Sequence, residues 1–134
     1  CIRDRSLIVK GVMCPEDATP LENLGVDAAW VSNHAGRQFA GSPGAIDMLP
    51  LIKAATNLPI IFDSGIEGGL DIMRSISSGA DFVMMGRAWH YALGAIGTAG
   101  PQHLYDMLVD DLKSNMIQIA ASNLEELPQL RHPT

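Results

Sequence analysis

Apolar positions along this chain alternate between short continuous runs and stripes at helical spacing. Leu7-Ile8-Val9-Lys10-Gly11-Val12-Met13 is an aliphatic run bounded by turn and cap residues, the pattern of a strand buried on both faces of a parallel sheet. Lys10 interrupts it, and an ammonium there needs either an anion or a route to the strand end. Cys14-Pro15-Glu16-Asp17 opens a helix with proline in its first turn and acids where the dipole favours them. That helix closes by Gly25, and Pro20 should shorten or kink it. Asp27-Ala28-Ala29-Trp30-Val31 reads as a second buried strand, followed by a polar stretch and then by the breaker-rich run Phe39-Ala40-Gly41-Ser42-Pro43-Gly44, which reads as a loop over a site.

The alternation then continues. Residues 45–56 carry Ile46, Leu49, Ile52 and Lys53 at helical spacing, with Pro50 as a possible kink and Asn57 as a stop. Residues 58–63 form a third strand, with Pro59 at its beginning, where a missing donor does least harm. The glycine-rich turn Ser64-Gly65-Ile66-Glu67-Gly68-Gly69 feeds a helix over 70–78 with Leu70, Met73 and Ile76 on one side, and residues 79–87 form a fourth strand. Its start, Gly79-Ala80-Asp81, echoes Gly25-Val26-Asp27. Helices are expected over 88–96 and 101–121, the latter with Leu104, Met107, Leu108, Leu112, Met116 and Ile119 on one side, before a capped turn at Ser122-Asn123-Leu124-Glu125-Glu126.

Four successive strand–helix units imply an α/β fold with a parallel sheet. The chemically active residues collect at strand C-termini, where a (β/α)8 barrel carries its active site. Such a barrel takes about 250 residues, so four units in 134 residues make half of one. The whole of residues 1–134 is read as one partial domain, with two unpaired sheet edges and an uncovered inner face.

Composition narrows the chemistry. The chain is 47% hydrophobic, enough for one core, and nine Lys and Arg against fifteen Asp and Glu give a net charge of -6, which disfavours a nucleic-acid footprint. Anionic ligands must therefore be held by local groups. Cys1 and Cys14 lack metal-ligand company and read as ordinary thiols, so no metal is expected. The absence of a signal-type start or a membrane-spanning run points to the cytoplasm. The opening Cys1-Ile2-Arg3-Asp4-Arg5-Ser6, without an initiator Met, suggests a processed or truncated chain.

Ser32-Asn33-His34-Ala35-Gly36-Arg37-Gln38 places a hydroxyl, an amide, an imidazole and a guanidinium directly after the second strand. A proton acceptor three residues from a cationic fork suits a small acid that must lose a proton, and the same residues also suit a polar turn. Taken singly, His34 reads better as a turn residue, Asp63 as a helix cap and Arg87 as a surface cation; jointly at successive strand ends they do not. His90, His103 and His132 have no partner spacing and read as surface or interface residues, and the seven Met read as core filler.

Together with Leu7-Ile8-Val9-Lys10-Gly11, Asp63-Ser64-Gly65-Ile66, Gly79-Ala80-Asp81 and Met85-Gly86-Arg87, that stretch resembles the signatures of the FMN-dependent α-hydroxy acid dehydrogenases and oxidases, in the order this family shows them. The wording is most similar to bacterial L-lactate dehydrogenases, over the C-terminal half of the barrel. The resemblance implies FMN as cofactor, a small 2-hydroxy acid as substrate, and either a homo-oligomer or a separate N-terminal half to complete the site. It also allows a peripheral place at the inner membrane. By that resemblance His34 is the base and must be neutral to act. Arg37 clamps the substrate carboxylate, and Lys10 stands near flavin N1 and the C2 carbonyl. Ser32 bonds the isoalloxazine, while Asp63, Ser64 and Gly65 hold ribityl and phosphate oxygens. Gly86 and Arg87 complete the phosphate site. Two positions depart from the family. Ala35 stands where it usually has glycine, a substitution that costs about 1 kcal/mol if φ is positive. Glu67 stands where it usually places an arginine on the phosphate, which leaves more of that load to Arg87. Without the N-terminal half, the alternative is an idle half-barrel that self-associates and at most binds FMN or phosphate.

Overall fold

The computed structural model describes residues 4–130. Four strands, β1 (Ile8–Val12), β2 (Ala28–Val31), β3 (Ile60–Phe62) and β4 (Phe82–Val83), form one parallel sheet in the order β1-β2-β3-β4. Between and after them lie α1 (Pro15–Ala18), α2 (Ala45–Ala55), α3 (Gly69–Ser77), α4 (Arg87–Ile96) and α5 (Gly100–Gln118). Pro20 acts as expected: α1 stops at Ala18 and a 3-10 turn over Thr19–Leu21 follows. Pro50 does not break α2, which runs through it.

Register divides the sheet into two chemically different faces. Ala29 and Ile60 pair, as do Val31 and Phe62, and all four side chains are buried with Leu49 and Ile52 of α2 and with Ala18 of α1. Lys10, Trp30, Ile61 and Phe82 align across the four strands as the alternate row. That row is open at its ends, where Phe82 is 61% exposed and Lys10 is exposed too. The expectation that β1 is buried on both faces is therefore corrected: its helix-facing side is packed, but among the described residues no second layer covers the other. β1 and β4 are both edge strands.

The repeated Asp has a structural use. Asp27 Oδ2 accepts the Leu7 N–H at 2.6 Å and Asp81 Oδ2 accepts the Ile60 N–H at 2.8 Å, so each carboxylate ties down the start of the neighbouring strand. Lys53 Nζ reaches the same Asp81 oxygen at 2.9 Å. Burial pushes the Asp81 carboxyl up, but the bonds from Lys53 and Ile60 and the Lys53 charge outweigh it and hold it below its ordinary value. β4 is far shorter than the expected 79–87. Residues 79–81 are spent on the turn out of α3, where Gly79 has φ 111° and its N–H bonds the Ile76 carbonyl, and Arg87 already belongs to α4.

A second core joins α3 and α5 through Met73, Ile76, Leu112, Met116, Ala121 and Leu127. The expected α5 stripe is corrected at two positions, since Met107 and Ile119 are exposed. The buried positions Leu108 and Met116, with the half-buried Leu112 between them, follow a strict four-residue spacing, from which 107 and 119 fall away. Close approach requires Gly69, where a Cβ would overlap the backbone of Leu112. Ser122 and Asn123 bond the Glu126 carboxylate at 2.6 and 2.7 Å, which makes the expected capped turn. Cys14 is a free thiol raised above its ordinary value by its hydrogen bond to Glu16. Cys1 and His132 lie outside the described residues. Among those described, no helix is long and apolar enough to cross a membrane.

Candidate functional site

At their C-terminal ends the first three strands are laced together by polar side chains. Lys10 Nζ donates to Ser32 Oγ at 2.7 Å and to Asp63 Oδ2 at 2.6 Å, and lies 4.3 Å from the centroid of the Trp30 ring. The ammonium interrupting β1 has thus found the anion it needs, 53 residues along the chain. Burial would raise the Asp63 carboxyl. Hydrogen bonds from Lys10, Ser32 and Ser64, with the Lys10 charge, outweigh that effect and hold it below its ordinary value. Ser64 Oγ donates to Asp63 Oδ1 at 2.8 Å and accepts the Ala35 N–H at 3.2 Å, which couples the turn after β2 to the turn after β3.

The segment after β2 is a 3-10 turn over His34–Gly36 in left-handed backbone, with φ 55° at His34, 55° at Ala35 and 74° at Gly36. An L-residue there costs roughly 1–2 kcal/mol, so two of the three positions store strain. Ser32 Oγ accepts the His34 N–H at 3.2 Å and helps hold the turn. Gly11, at φ 93°, faces the imidazole, and a Cβ on it would sit 3.5 Å from His34 Cε1. Asn33 Nδ2 donates to the Pro43 carbonyl at 3.1 Å, anchoring the loop over 39–44. Asn33 Oδ1 and Trp30 Nε1 are buried without a hydrogen-bond partner among the described residues.

Two helix N-termini approach the same region and differ in chemistry. At α3, Asp111 Oδ2 accepts the Gly69 N–H at 2.5 Å and Asp71 Oδ2 accepts the Glu67 N–H at 3.1 Å, so acids already occupy that end. The N-terminus of α4 has no side-chain cap and no acid in its first turn, and Arg87 is its first residue. Its free N–H groups and the guanidinium leave it suited to an anion.

Lys10, His34, Arg37, Asp63, Ser64, Gly65, Gly86 and Arg87 line one cleft of about 520 Å³. Ser32 is buried beneath it, reached through Lys10. Arg37 and Arg87 are exposed, and among the described residues no carboxylate pairs with either. The cleft also takes in Ile66, Met84, Met85, Ala88 and Tyr91, to which the sequence assigns no site role, and the departing residues Ala35 and Glu67. The reading of every Met as core filler is corrected here, since Met84 and Met85 face the cleft; β4 stops at Val83 and leaves them beyond the packed ladder. His90 and His103 are exposed, and His90 Nδ1 bonds the Gly86 carbonyl at 3.1 Å.

The model of a family described as FMN-dependent dehydrogenase matches residues 2–132. The chain belongs to the FMN-dependent dehydrogenase family. It is similar to the L-lactate dehydrogenases of Chromohalobacter salexigens, at 40% identity over 126 residues (92% of this chain, 32% of that protein), and of Allorhizobium ampelinum, at 42% over 123 residues (90% and 32%). Among solved structures it superimposes on a Pediococcus acidilactici protein described as a lactate oxidase with TM-score 0.88 and 38% identity, covering 92% of this chain and 35% of that one. A mandelate oxidase gives TM-score 0.88 at 31% identity, over 93% and 38%. The chain thus spans about a third of the length of the curated relatives it matches, and only part of their barrel.

FMN is the cofactor of the family, and a further mandelate oxidase structure similar to this chain contains an FMN adduct. The cleft's donor set fits that group: an ammonium held in place by Asp63, two guanidinium groups with no carboxylate partner among the described residues, and an uncapped helix N-terminus for a phosphate. Open space beside Gly65 and Gly86, where an added Cβ would meet nothing within 4 Å, allows close backbone approach.

Proposed function

We propose that the chain supplies the C-terminal half of a (β/α)8 barrel that oxidises an L-2-hydroxy acid, L-lactate or a close analogue, to the 2-oxo acid with FMN. The carrying observation is the convergence of His34, Arg37 and Arg87 with the ion-paired Lys10 on one cleft at the strand C-termini. When bound, FMN supplies an acceptor for a hydride equivalent. His34 takes the proton of the substrate hydroxyl, and its left-handed turn presents the imidazole beside Gly11 at the mouth of β1. Arg37, with which no carboxylate of the described residues pairs, clamps the substrate carboxylate through two parallel N–H bonds and so orients C2.

Lys10 holds a positive charge at the pyrimidine side of the ring system, kept there by Asp63 and Ser32 and by the face of Trp30. Beyond the bonds from Lys10, Ser32 and Ser64, Asp63 has lone-pair capacity left for ribityl hydroxyls, while the backbone around Ser64 and Gly65 approaches the same chain. Gly86, Arg87 and the first turn of α4 hold the phosphate. Exposed Ile8 and Phe82 and the two free sheet edges call for the N-terminal half of the barrel or a second copy of the chain. The same exposed face favours a second reading, a half-barrel that associates with itself and binds flavin without turnover. Titration of the completed barrel with FMN, followed by anaerobic L-lactate, separates them. Flavin uptake with bleaching supports oxidation, uptake without bleaching supports the second reading, and no uptake refutes both.

A further inference from the structure

We infer that Glu67 weakens the affinity of this cleft for the FMN phosphate. The inference rests on the flavin reading above. Of the two carboxylates lining the cleft, Asp63 is neutralised by Lys10 at 2.6 Å, whereas the Glu67 side chain is exposed and makes no hydrogen bond or ion pair among the described residues. Its backbone is fixed all the same: the Glu67 N–H is held by Asp71 Oδ2, and Gly69, two residues on, is pinned by Asp111. The carboxylate therefore springs from a fixed point of the cleft lining, and among the described residues no cation pairs with it.

The same cleft is lined by Arg87 and the uncapped start of α4, where a phosphate is held best. A phosphate monoester brings about -1.5 to -2 charges at neutral pH. Repulsion between it and one carboxylate across a solvent-filled cleft weakens binding about three- to ten-fold, less at high salt. Riboflavin, which lacks the phosphate, escapes that penalty.

The test compares the full chain with Glu67→Gln, Glu67→Arg and Asp110→Asn by flavin fluorescence quenching, titrating FMN and riboflavin separately at low and high salt. Asp110 is an exposed acid on α5 away from the cleft, so its replacement changes net charge alone. The expected result is about three- to ten-fold tighter FMN binding by Glu67→Gln, more by Glu67→Arg, with riboflavin unchanged, Asp110→Asn like the parent, and the gap narrowing at high salt. Equal gains for both flavins, an equal gain from Asp110→Asn, or no change in FMN affinity overturns the role of Glu67 and leaves the flavin reading standing. Failure of all four proteins to take up FMN overturns both.

Discussion

Replacing Lys10 by Met, Asp63 by Asn, and both together measures how strongly the cleft is preorganised. The Nζ to Oδ2 distance is 2.6 Å, with the Lys10 side chain 36% and the Asp63 side chain 20% exposed. A fully exposed pair contributes about 0.2–1 kcal/mol and a charge-assisted hydrogen bond about 1.5–3 kcal/mol. Because water still reaches Lys10, the pair belongs between these limits, at a coupling of about 1–2 kcal/mol. In urea, where m is about 1–3 kcal/mol/M, losing it lowers the midpoint by roughly 0.3–2 M. The pH dependence follows from the same pair. The folded Asp63 carboxyl lies below its ordinary value, so its contribution is fully present above the ordinary carboxylate pKa of about 3.9 and is lost as pH falls through the depressed folded value. Lys10→Met should flatten that acid limb. The measurement is a double-mutant cycle in urea at neutral pH, repeated down to strongly acid pH. A coupling below about 0.3 kcal/mol, or an unchanged acid limb in Lys10→Met, would refute the view that this ion pair organises the cleft.

Other substitutions probe the strain and the chemistry. Ala35→Gly relieves a methyl at φ 55° and should stabilise the chain by about 0.5–1 kcal/mol, read as a raised urea midpoint. Gly69→Ala drives a Cβ into the α5 backbone and should cost about 2 kcal/mol or more, read by the same assay. In the completed enzyme, His34→Asn should lower kcat by about 10²–10⁴-fold while flavin absorbance is retained, and full activity in that variant would remove His34 from the reaction. Arg37→Met should weaken binding of the 2-hydroxy acid and spare FMN affinity, as seen by parallel titrations.

Much of this protein is written in local pattern. Runs such as Leu7–Met13 and Asp27–Val31, punctuated by Gly25 and Gly79, predict alternating strands and helices, because side-chain periodicity reports which face of an element is buried. The order of elements then places His34, Arg37, Asp63 and Arg87 after strands, and a parallel sheet brings strand C-termini to one side. Tertiary structure alone decided what each residue faces. Lys10 and Asp63 pair across 53 positions because register and twist, which no local window encodes, align their strands. Asp111 reaches back to cap α3, whereas the start of α4 has no side-chain cap and no acid, and early termination of β4 turns Met84 and Met85 from filler into cleft wall. The same register puts Lys10, Trp30, Ile61 and Phe82 on a single face, so the apolar runs that promised strands buried on both sides instead leave one side of the sheet open. Hydrophobicity says that a surface needs covering; only the packed arrangement of the described residues says which of those surfaces is covered.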